Sequence, residues 1–283
     1  MATGKTPWYI RLMDRVLLRA IHKVPGCDIA GTVVAAGDKV SKFKIGGEVY
    51  GMTPQFLGGW AEYACINEKD LYSKPTNVSF AAASAVPVVG ITALAAVRKS
   101  GIKAGQKVLV QGATGGVGHF VLQLAKEKGA TVTAVCSSRN AAMVKNLGAD
   151  QVIDYKKEDF AAENKKFDVI IGVNGYRSLT TYLNSLADGG TYLVVGGMKQ
   201  ALLHALGGPI RSIGRGKRMT GVAFPLIKDK GIDELNELMK RERIKPYIDH
   251  VYPAEKAPDA IEYIIDEHAQ GKVVICLTFK EHK

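Results

Sequence analysis

The chain has 283 residues, which is enough for two domains of ordinary size. Hydrophobic residues make up 47% of it and charged residues 23%, a globular composition that excludes a chain disordered throughout. No apolar run approaches the roughly 20 residues of a membrane-spanning helix, and no apolar signal core is present, so we expect a cytoplasmic protein.

The net charge of +11 leaves two interpretations open. A basic protein can bind nucleic acid or an anionic surface, and one dense basic patch lies at Arg211–Arg218. The other lysines are spread along the chain, and no groove-entering element accompanies the patch. A solvated loop is therefore the favoured interpretation, and nucleic-acid or membrane partners are not expected.

The first predicted elements are short strands separated by glycine-rich turns. They are predicted at Ile29–Ala35, Glu48–Met52 and Trp60–Ile66. Strands of this kind are typical of a barrel-like β domain, which we place at residues 1–86.

From residue 87 to residue 245 the pattern alternates between strand and helix. Strands are predicted at Lys107–Gln111, Thr131–Cys136, Gln151–Asp154, Val169–Val173 and Thr191–Val195. Helices are predicted at Val117–Lys128 and Asn140–Leu147, each followed by a glycine. This alternation predicts an α/β fold with a doubly wound parallel sheet of the Rossmann type.

The tail, residues 246–283, returns to the first pattern. Apolar residues at helical spacing from Ala257 to Ile265 precede a predicted strand at Lys272–Leu277. We expect the tail to complete the β domain, so that the nucleotide domain is an insertion within it.

A glycine-rich motif, Gly112-Ala113-Thr114-Gly115-Gly116-Val117-Gly118, lies directly between a predicted strand and a predicted helix. Glycines let the backbone turn tightly and approach a pyrophosphate, and the helix N-terminus then presents amide donors to it. The spacing is G-x-x-G-x-x-G, which is a weaker pattern than G-x-G-x-x-G. Its position between strand and helix nevertheless predicts a dinucleotide site.

The end of the second strand indicates which nicotinamide cofactor binds. An NAD site places Asp or Glu there, whereas this chain has Ser137, Ser138, Arg139 and Asn140. A guanidinium and two hydroxyls suit a 2′-phosphate and favour NADPH. Ser138 or Asn140 could instead, or in addition, cap the next helix.

The pattern argues against a metal or a catalytic triad. The four cysteines are scattered, with no C-x-x-C pair, which favours reduced and mostly buried thiols over disulfides or structural zinc. Cys27-Asp28 is followed by no His-Glu pair, and no G-x-S-x-G elbow is present.

These residues resemble the zinc-free quinone oxidoreductases of the medium-chain dehydrogenase/reductase superfamily, including its bacterial NAD(P)-dependent alcohol dehydrogenase-like members. Besides the glycine motif and Cys136–Asn140, the matching stretches are Pro25–Gly31 with Val40–Gly51, Gly58–Tyr63, Leu147–Tyr155 and His268–Lys272. The ordered set is highly specific for the family.

The resemblance implies a GroES-like β domain, an inserted Rossmann domain and a substrate cleft between them. It implies NADPH as hydride donor and a quinone or α,β-unsaturated carbonyl as acceptor. Thr114, Gly116 and Val117 would hold the pyrophosphate, and Ser137, Arg139 and Tyr155 would surround the 2′-phosphate; a plain strand-end tyrosine is the competing interpretation of Tyr155. Thr92, Asn174, Gly196 and Gly197 would lie along the nicotinamide half of the cofactor, and His268, Ala269 and Gln270 would approach the cofactor from the tail.

The sequence identifies no catalytic acid, and a quinone can accept hydride without one. Relatives usually carry a further N-terminal segment that builds part of the β domain and of the cleft. Its loss would leave a β edge free to pair with a second chain, as in a homodimer, or to aggregate. An NADPH-binding protein with little turnover is therefore the main alternative to an active reductase, and a basic nucleic-acid or anionic-surface binder is the other.

Overall fold

A computed structural model describes residues 24–53, 57–162, 165–173, 177–196, 216–222, 231–266 and 269–277, together with residues 204, 207, 208 and 214. The chain divides into two compact units. Unit 1 consists of Met1–Val88, Ile248–Ala269 and Val273–Lys283, and unit 2 consists of Val89–Tyr247 and Gln270–Lys272.

Unit 1 contains a three-stranded antiparallel sheet of β1 (Asp28–Thr32), β2 (Glu48–Met52) and β3 (Leu71–Ser73), in that order. A short helix, α1 (Phe80–Ser84), follows; Ser79 caps its N-terminus, and the Ser79 hydroxyl accepts a hydrogen bond from the Ala82 amide. The β-rich character predicted for this part of the chain is therefore present.

The strand predicted at Trp60–Ile66 is wrong. The segment forms bends and irregular structure, and residues 62–65 are exposed. The Trp60 amide donates to Pro25 O at 2.8 Å in a local turn contact. The aromatic and apolar residues of the segment imitate strand alternation, but its exposed middle gives that alternation no core to face.

The tail part of unit 1 contains a second sheet and a helix. Strands β10 (Ile248–Pro253) and β11 (Lys272–Cys276) pair, and α7 (Ala257–Asp266) lies between them in the chain. The predicted tail helix and tail strand are both present. The strand at Ile248 was not predicted.

Unit 2 is built around a six-stranded parallel sheet. Its order is β6-β5-β4-β7-β8-β9, the arrangement of a doubly wound dinucleotide-binding sheet. The strands are β4 (Lys107–Gln111), β5 (Thr131–Cys136), β6 (Gln151–Asp154), β7 (Phe167–Val173), β8 (Leu186–Val195) and β9 (Arg218–Val222). Because β4 and β5 are buried along almost their whole length, they appear in the sequence as short continuous apolar runs.

Five helices accompany this sheet in the described part of the chain. They are α2 (Pro87–Ser100), α3 (Gly118–Glu127), α4 (Ala141–Asn146), α5 (Leu179–Ser185) and α6 (Ile232–Lys240). Proline at the first position of α2 has no amide to leave unsatisfied, so it starts the helix without cost. One side of the sheet packs into a core that includes Leu109, Ile170 and the stacked rings of Tyr182 and Tyr192.

Two further findings concern expectations from composition. No helix among the described residues is long and apolar enough to cross a membrane. The expectation of mostly buried thiols is wrong, because Cys65 and Cys276 are exposed, Cys27 is half-buried and only Cys136 is buried.

Candidate functional site

The glycine-rich loop follows β4 along a backbone path that excludes side chains at two positions. Gly112 has a φ of +71°, and a Cβ there would lie 2.6 Å from Val173 O. A Cβ on Gly118 would lie 2.0 Å from Gly112 O, because the start of α3 crosses directly over the end of β4. The loop therefore requires glycine at positions 112 and 118.

Gly116 lies in a narrow cradle on the loop. A Cβ there would meet the side chains of Lys272 and Val89 at 3.3 Å and Gly271 O at 3.6 Å. Helix α3 begins immediately afterwards, and its N-cap, Val117, has no side-chain capping bond. Gly116 has no side chain and lies beside a helix N-terminus that has no side-chain cap, which suits the close approach of a pyrophosphate.

The tail segment reaches the same loop within unit 2. The Gly271 amide donates to Thr114 O at 2.6 Å. Gln270 directly precedes Gly271 in the chain and is half-buried, as is Ala269. His268, the third residue predicted from this segment, lies outside the described residues.

The end of β5 approaches the loop from the other side. Ser137 is buried, while Ser138 and Arg139 are exposed in a short 3-10 turn. The next residue, Asn140, is buried, and its Nδ2 lies 3.4 Å from Thr114 Oγ1. Asn140 Oδ1 is buried without a hydrogen-bond partner among the described residues. An orphaned polar atom between the loop and the turn fits a site that a polar ligand completes.

An acid contacts this turn from the neighbouring strand β6, although β5 itself supplies none. Ser138 Oγ donates to Asp154 Oδ2, and Asp154 Oδ1 also accepts the Lys156 amide at 3.0 Å. The hydrogen bond from Ser138 is the main cause that lowers the pKa of Asp154, so this carboxylate is charged. Asp154 ends β6, which pairs with β5 in parallel, and the two strands therefore place their carboxyl ends together.

Tyr155 lies at the same edge of the sheet. Its amide donates to Cys136 O at 3.2 Å, and its side chain is 44% exposed. The structure thus brings Ser137, Ser138, Arg139 and Tyr155 to neighbouring strand ends; the 2′-phosphate site predicted from these residues stays a prediction.

The remaining predicted residues are placed only in part. Thr92 is buried on α2, and Gly196 follows β8 with a φ of +71°. Asn174 and Gly197 lie outside the described residues.

Sequence reasoning missed the polar contacts of α3. His119 is fully buried, and its ring bonds Gly115 O and the Tyr247 amide. Gln123, one turn later, bonds the backbone of Lys245 in both directions. The available signal was a polar pair at i and i+4 on an otherwise apolar helix face.

The basic patch is engaged with backbone where it is described. Arg218 Nη2 donates to Lys99 O at 2.6 Å and to Ser100 O, at the end of α2. Lys217 Nζ donates to Leu183 O at 2.9 Å. Both cations satisfy backbone carbonyls, which disfavours a nucleic-acid surface at this end of the patch. Among the described residues, no group of three or more His, Cys, Asp or Glu side chains is placed to hold a metal ion.

Two family profiles match the chain. The alcohol dehydrogenase GroES-like domain matches residues 6–76, and a profile described as zinc-binding dehydrogenase matches residues 147–275. A chloroplast envelope quinone oxidoreductase homolog of Arabidopsis thaliana is 35% identical over 290 residues, which covers 97% of this chain and 87% of that protein. An NADPH-dependent alkenal/one oxidoreductase of the same organism is 33% identical, and the match covers 89% of this chain and 63% of that protein.

Solved structures give the same assignment. The quinone oxidoreductase from Coxiella burnetii superposes with a TM-score of 0.82 at 28% identity, covering 96% of this chain and 84% of that one. The fold is therefore a Rossmann domain combined with a GroES-like β-rich domain. The chain belongs to the quinone oxidoreductase-like family of the medium-chain dehydrogenase/reductase superfamily.

Proposed function

We propose that this protein is an NADPH-dependent reductase of quinones or α,β-unsaturated carbonyls. The observation that carries the proposal is the glycine loop of unit 2, with its Gly116 cradle and the serines and arginine at the end of β5. The relatives described as a quinone oxidoreductase homolog and an alkenal/one oxidoreductase support the acceptor class.

The residues of this chain bind and orient the cofactor. Gly116 and the start of α3 would receive the pyrophosphate, because the N-terminus of α3 has no side-chain cap and its amide groups can donate to phosphate oxygens. Arg139 and Ser137 would receive the 2′-phosphate, and Thr92 and Gly196 would border the nicotinamide. When bound, the nicotinamide supplies a hydride from C4 to the acceptor. The protein contributes position and electrostatics.

The preference for NADPH rests on opposing charges. Arg139 attracts a 2′-phosphate, whereas the ionised Asp154, bonded to Ser138, repels it and could instead accept a ribose hydroxyl. We infer that the positive charge of Arg139 outweighs the negative charge of Asp154, because Ser137 and Arg139 directly follow β5, whose end binds the adenosine ribose in this fold.

The test is a titration of NADPH and NADH by fluorescence with a pair of variants. NADPH should bind at least about tenfold more tightly, a difference of about 1.4 kcal/mol. Arg139→Ala should narrow the gap, and Asp154→Asn should widen it. Equal affinities of the wild-type protein for the two cofactors would exclude the proposed specificity.

Turnover separates the reductase from its main alternative. The protein should oxidise NADPH in the presence of a simple quinone or an enone. The loss of NADPH absorbance measures this oxidation. Tight NADPH binding with negligible turnover would instead support a cofactor-binding protein. A zinc-free mechanism, a homodimer and the cytoplasmic location stay predictions.

A further inference from the structure

Buried side chains of α3 and the segment around Tyr247 form a hydrogen-bond network that contacts the glycine loop. His119 Nδ1 lies 3.0 Å from Gly115 O, and its Nε2 lies 3.2 Å from the Tyr247 amide nitrogen. An amide can only donate, so Nε2 accepts and carries no proton. The proton is therefore on Nδ1, which donates to Gly115 O, and both ring nitrogens are satisfied in the neutral form.

The tail segment, at Gly271 and Lys272, completes the hydrogen-bond network. Tyr247 O accepts the Lys272 amide at 2.9 Å, and the neighbouring Gly271 amide donates to Thr114 O at 2.6 Å. Two consecutive loop carbonyls, those of Thr114 and Gly115, are thus fixed to the same support. Gly271 has a φ of +65°, and a Cβ there would lie 2.3 Å from Tyr247 O, so this crossing excludes a side chain.

Fixing a carbonyl also fixes the amide on the other side of its peptide. In a planar trans peptide the C=O of one residue and the N–H of the next point in opposite directions. Gly115 O receives two donors, the ring Nδ1 of His119 and the backbone amide of the same residue at 3.1 Å. These two donors therefore also fix the direction of the Gly116 amide, on the other side of the same peptide.

We propose that His119, in its neutral Nδ1–H form, is a positioning residue that orients the Gly116 amide toward the cofactor pyrophosphate. The inference rests on the proposed function for its ligand, but the orientation itself is a property of the cofactor-free protein. His119 does not touch the cofactor. It acts through the Gly115–Gly116 peptide, and its ring is held by a segment that lies 128 residues away in the chain.

Gln123 offers a matched control in the same helix. Its amide donates to His119 O and Lys245 O and accepts the Lys245 amide at 2.7 Å, so it also pins the distant segment to α3. Among the described residues, its hydrogen bonds reach the backbone of His119 and Lys245 and not the loop carbonyls. A general loss of packing would affect variants of both residues, whereas loss of amide orientation should follow His119 alone.

The experiment compares His119→Phe, His119→Asn and Gln123→Leu with the wild type. The phenyl ring fills the same space without hydrogen bonds, while the Asn amide can still donate to Gly115 O. His119→Phe should weaken NADPH binding about tenfold, and His119→Asn should recover most of that loss. Gln123→Leu should lose stability but keep NADPH affinity within about threefold of the wild type.

A second ligand separates the pyrophosphate from the rest of the site. Adenosine 2′-phosphate lacks the pyrophosphate, so its affinity should be the same in the wild type and in His119→Phe. Equal weakening of NADPH and adenosine 2′-phosphate would overturn the proposal. So would a Gln123→Leu protein that loses as much NADPH affinity as His119→Phe.

A cofactor-free measurement keeps this inference distinct from the proposed function. In amide NMR spectra of the free protein, His119→Phe should shift the resonances of Gly115 and Gly116, and Gln123→Leu should leave them in place. If these resonances do not respond to His119→Phe, the positioning role is wrong whether or not NADPH binds. If they respond and the wild type does not bind NADPH, the proposed function is wrong and His119 still orients the loop.

Discussion

Acidification should destabilise unit 2 through His119, and replacing this residue should remove that part of the pH dependence. Burial lowers the pKa of His119 from 6.5 to about 4; the bond to Gly115 opposes the shift, and the positive charge of Lys272 adds to it. The folded protein therefore takes up this proton less readily than the unfolded chain. The stability that neutral His119 contributes is fully present above pH 6.5 and is lost as the pH decreases toward 4.

The magnitude follows from the two pKa values. Each tenfold change in proton affinity corresponds to about 1.4 kcal/mol, so the full effect below the folded-state pKa is about 3 kcal/mol. By pH 5 about 2 kcal/mol of it should already be lost. Protonation of Nε2 would also turn an acceptor into a donor that faces the Tyr247 amide, which opposes the same change.

Urea unfolding of the wild type and of His119→Asn between pH 7.5 and 5 measures this effect. The variant should be less stable at neutral pH, because it loses the bond to Tyr247. Its free energy of unfolding should then approach that of the wild type as the pH falls. Carboxylates titrate in both proteins and cancel in the difference. If the two curves stay parallel across this range, His119 does not titrate as its burial implies.

Three further outcomes can be checked on the same protein. Gly118→Ala should cost about 3 kcal/mol of stability and abolish cofactor binding, because its Cβ would lie 2.0 Å from Gly112 O. In Gly115→Ala the corresponding distance is 3.6 Å, so this control should lose less stability in urea unfolding. Elemental analysis should find no stoichiometric zinc; one zinc per chain would contradict a zinc-free enzyme. A thiol reagent should label the exposed Cys65 in the native state, but Cys136 only after unfolding, because burial and then the charge of Asp154 raise the pKa of Cys136 to about 11.

The sheet of unit 2 was predictable because its strands are buried runs between polar ends. Lys107–Gln111, Thr131–Cys136 and Gln151–Asp154 begin and end where the sequence predicted. β8 was predicted only from Thr191, but it begins at Leu186. The two glycines before Thr191 suggest a turn, yet they lie in the strand next to a register shift relative to β7.

The charges around the proposed 2′-phosphate site were predictable only along one strand. The pattern at the end of β5 shows Ser137, Ser138 and Arg139, and it contains no acid. Asp154 reaches Ser138 because β6 pairs beside β5, and this pairing is a property of the sheet rather than of the local sequence. Cofactor specificity in such a fold therefore depends on two strand ends, and a sequence rule that examines one of them omits half of the charge.

The support of the glycine loop was hidden for a related reason. A buried polar residue is stable only if its hydrogen bonds are satisfied, so His119 and Gln123 on the apolar face of α3 imply partners without identifying them. Those partners are backbone groups of Lys245 and Tyr247, more than 120 residues away in the chain. Backbone amides and carbonyls are the same at every residue, so no side-chain pattern marks them. The glycines of the motif give the loop its path, while the direction of its peptides depends on contacts that only the folded chain reveals.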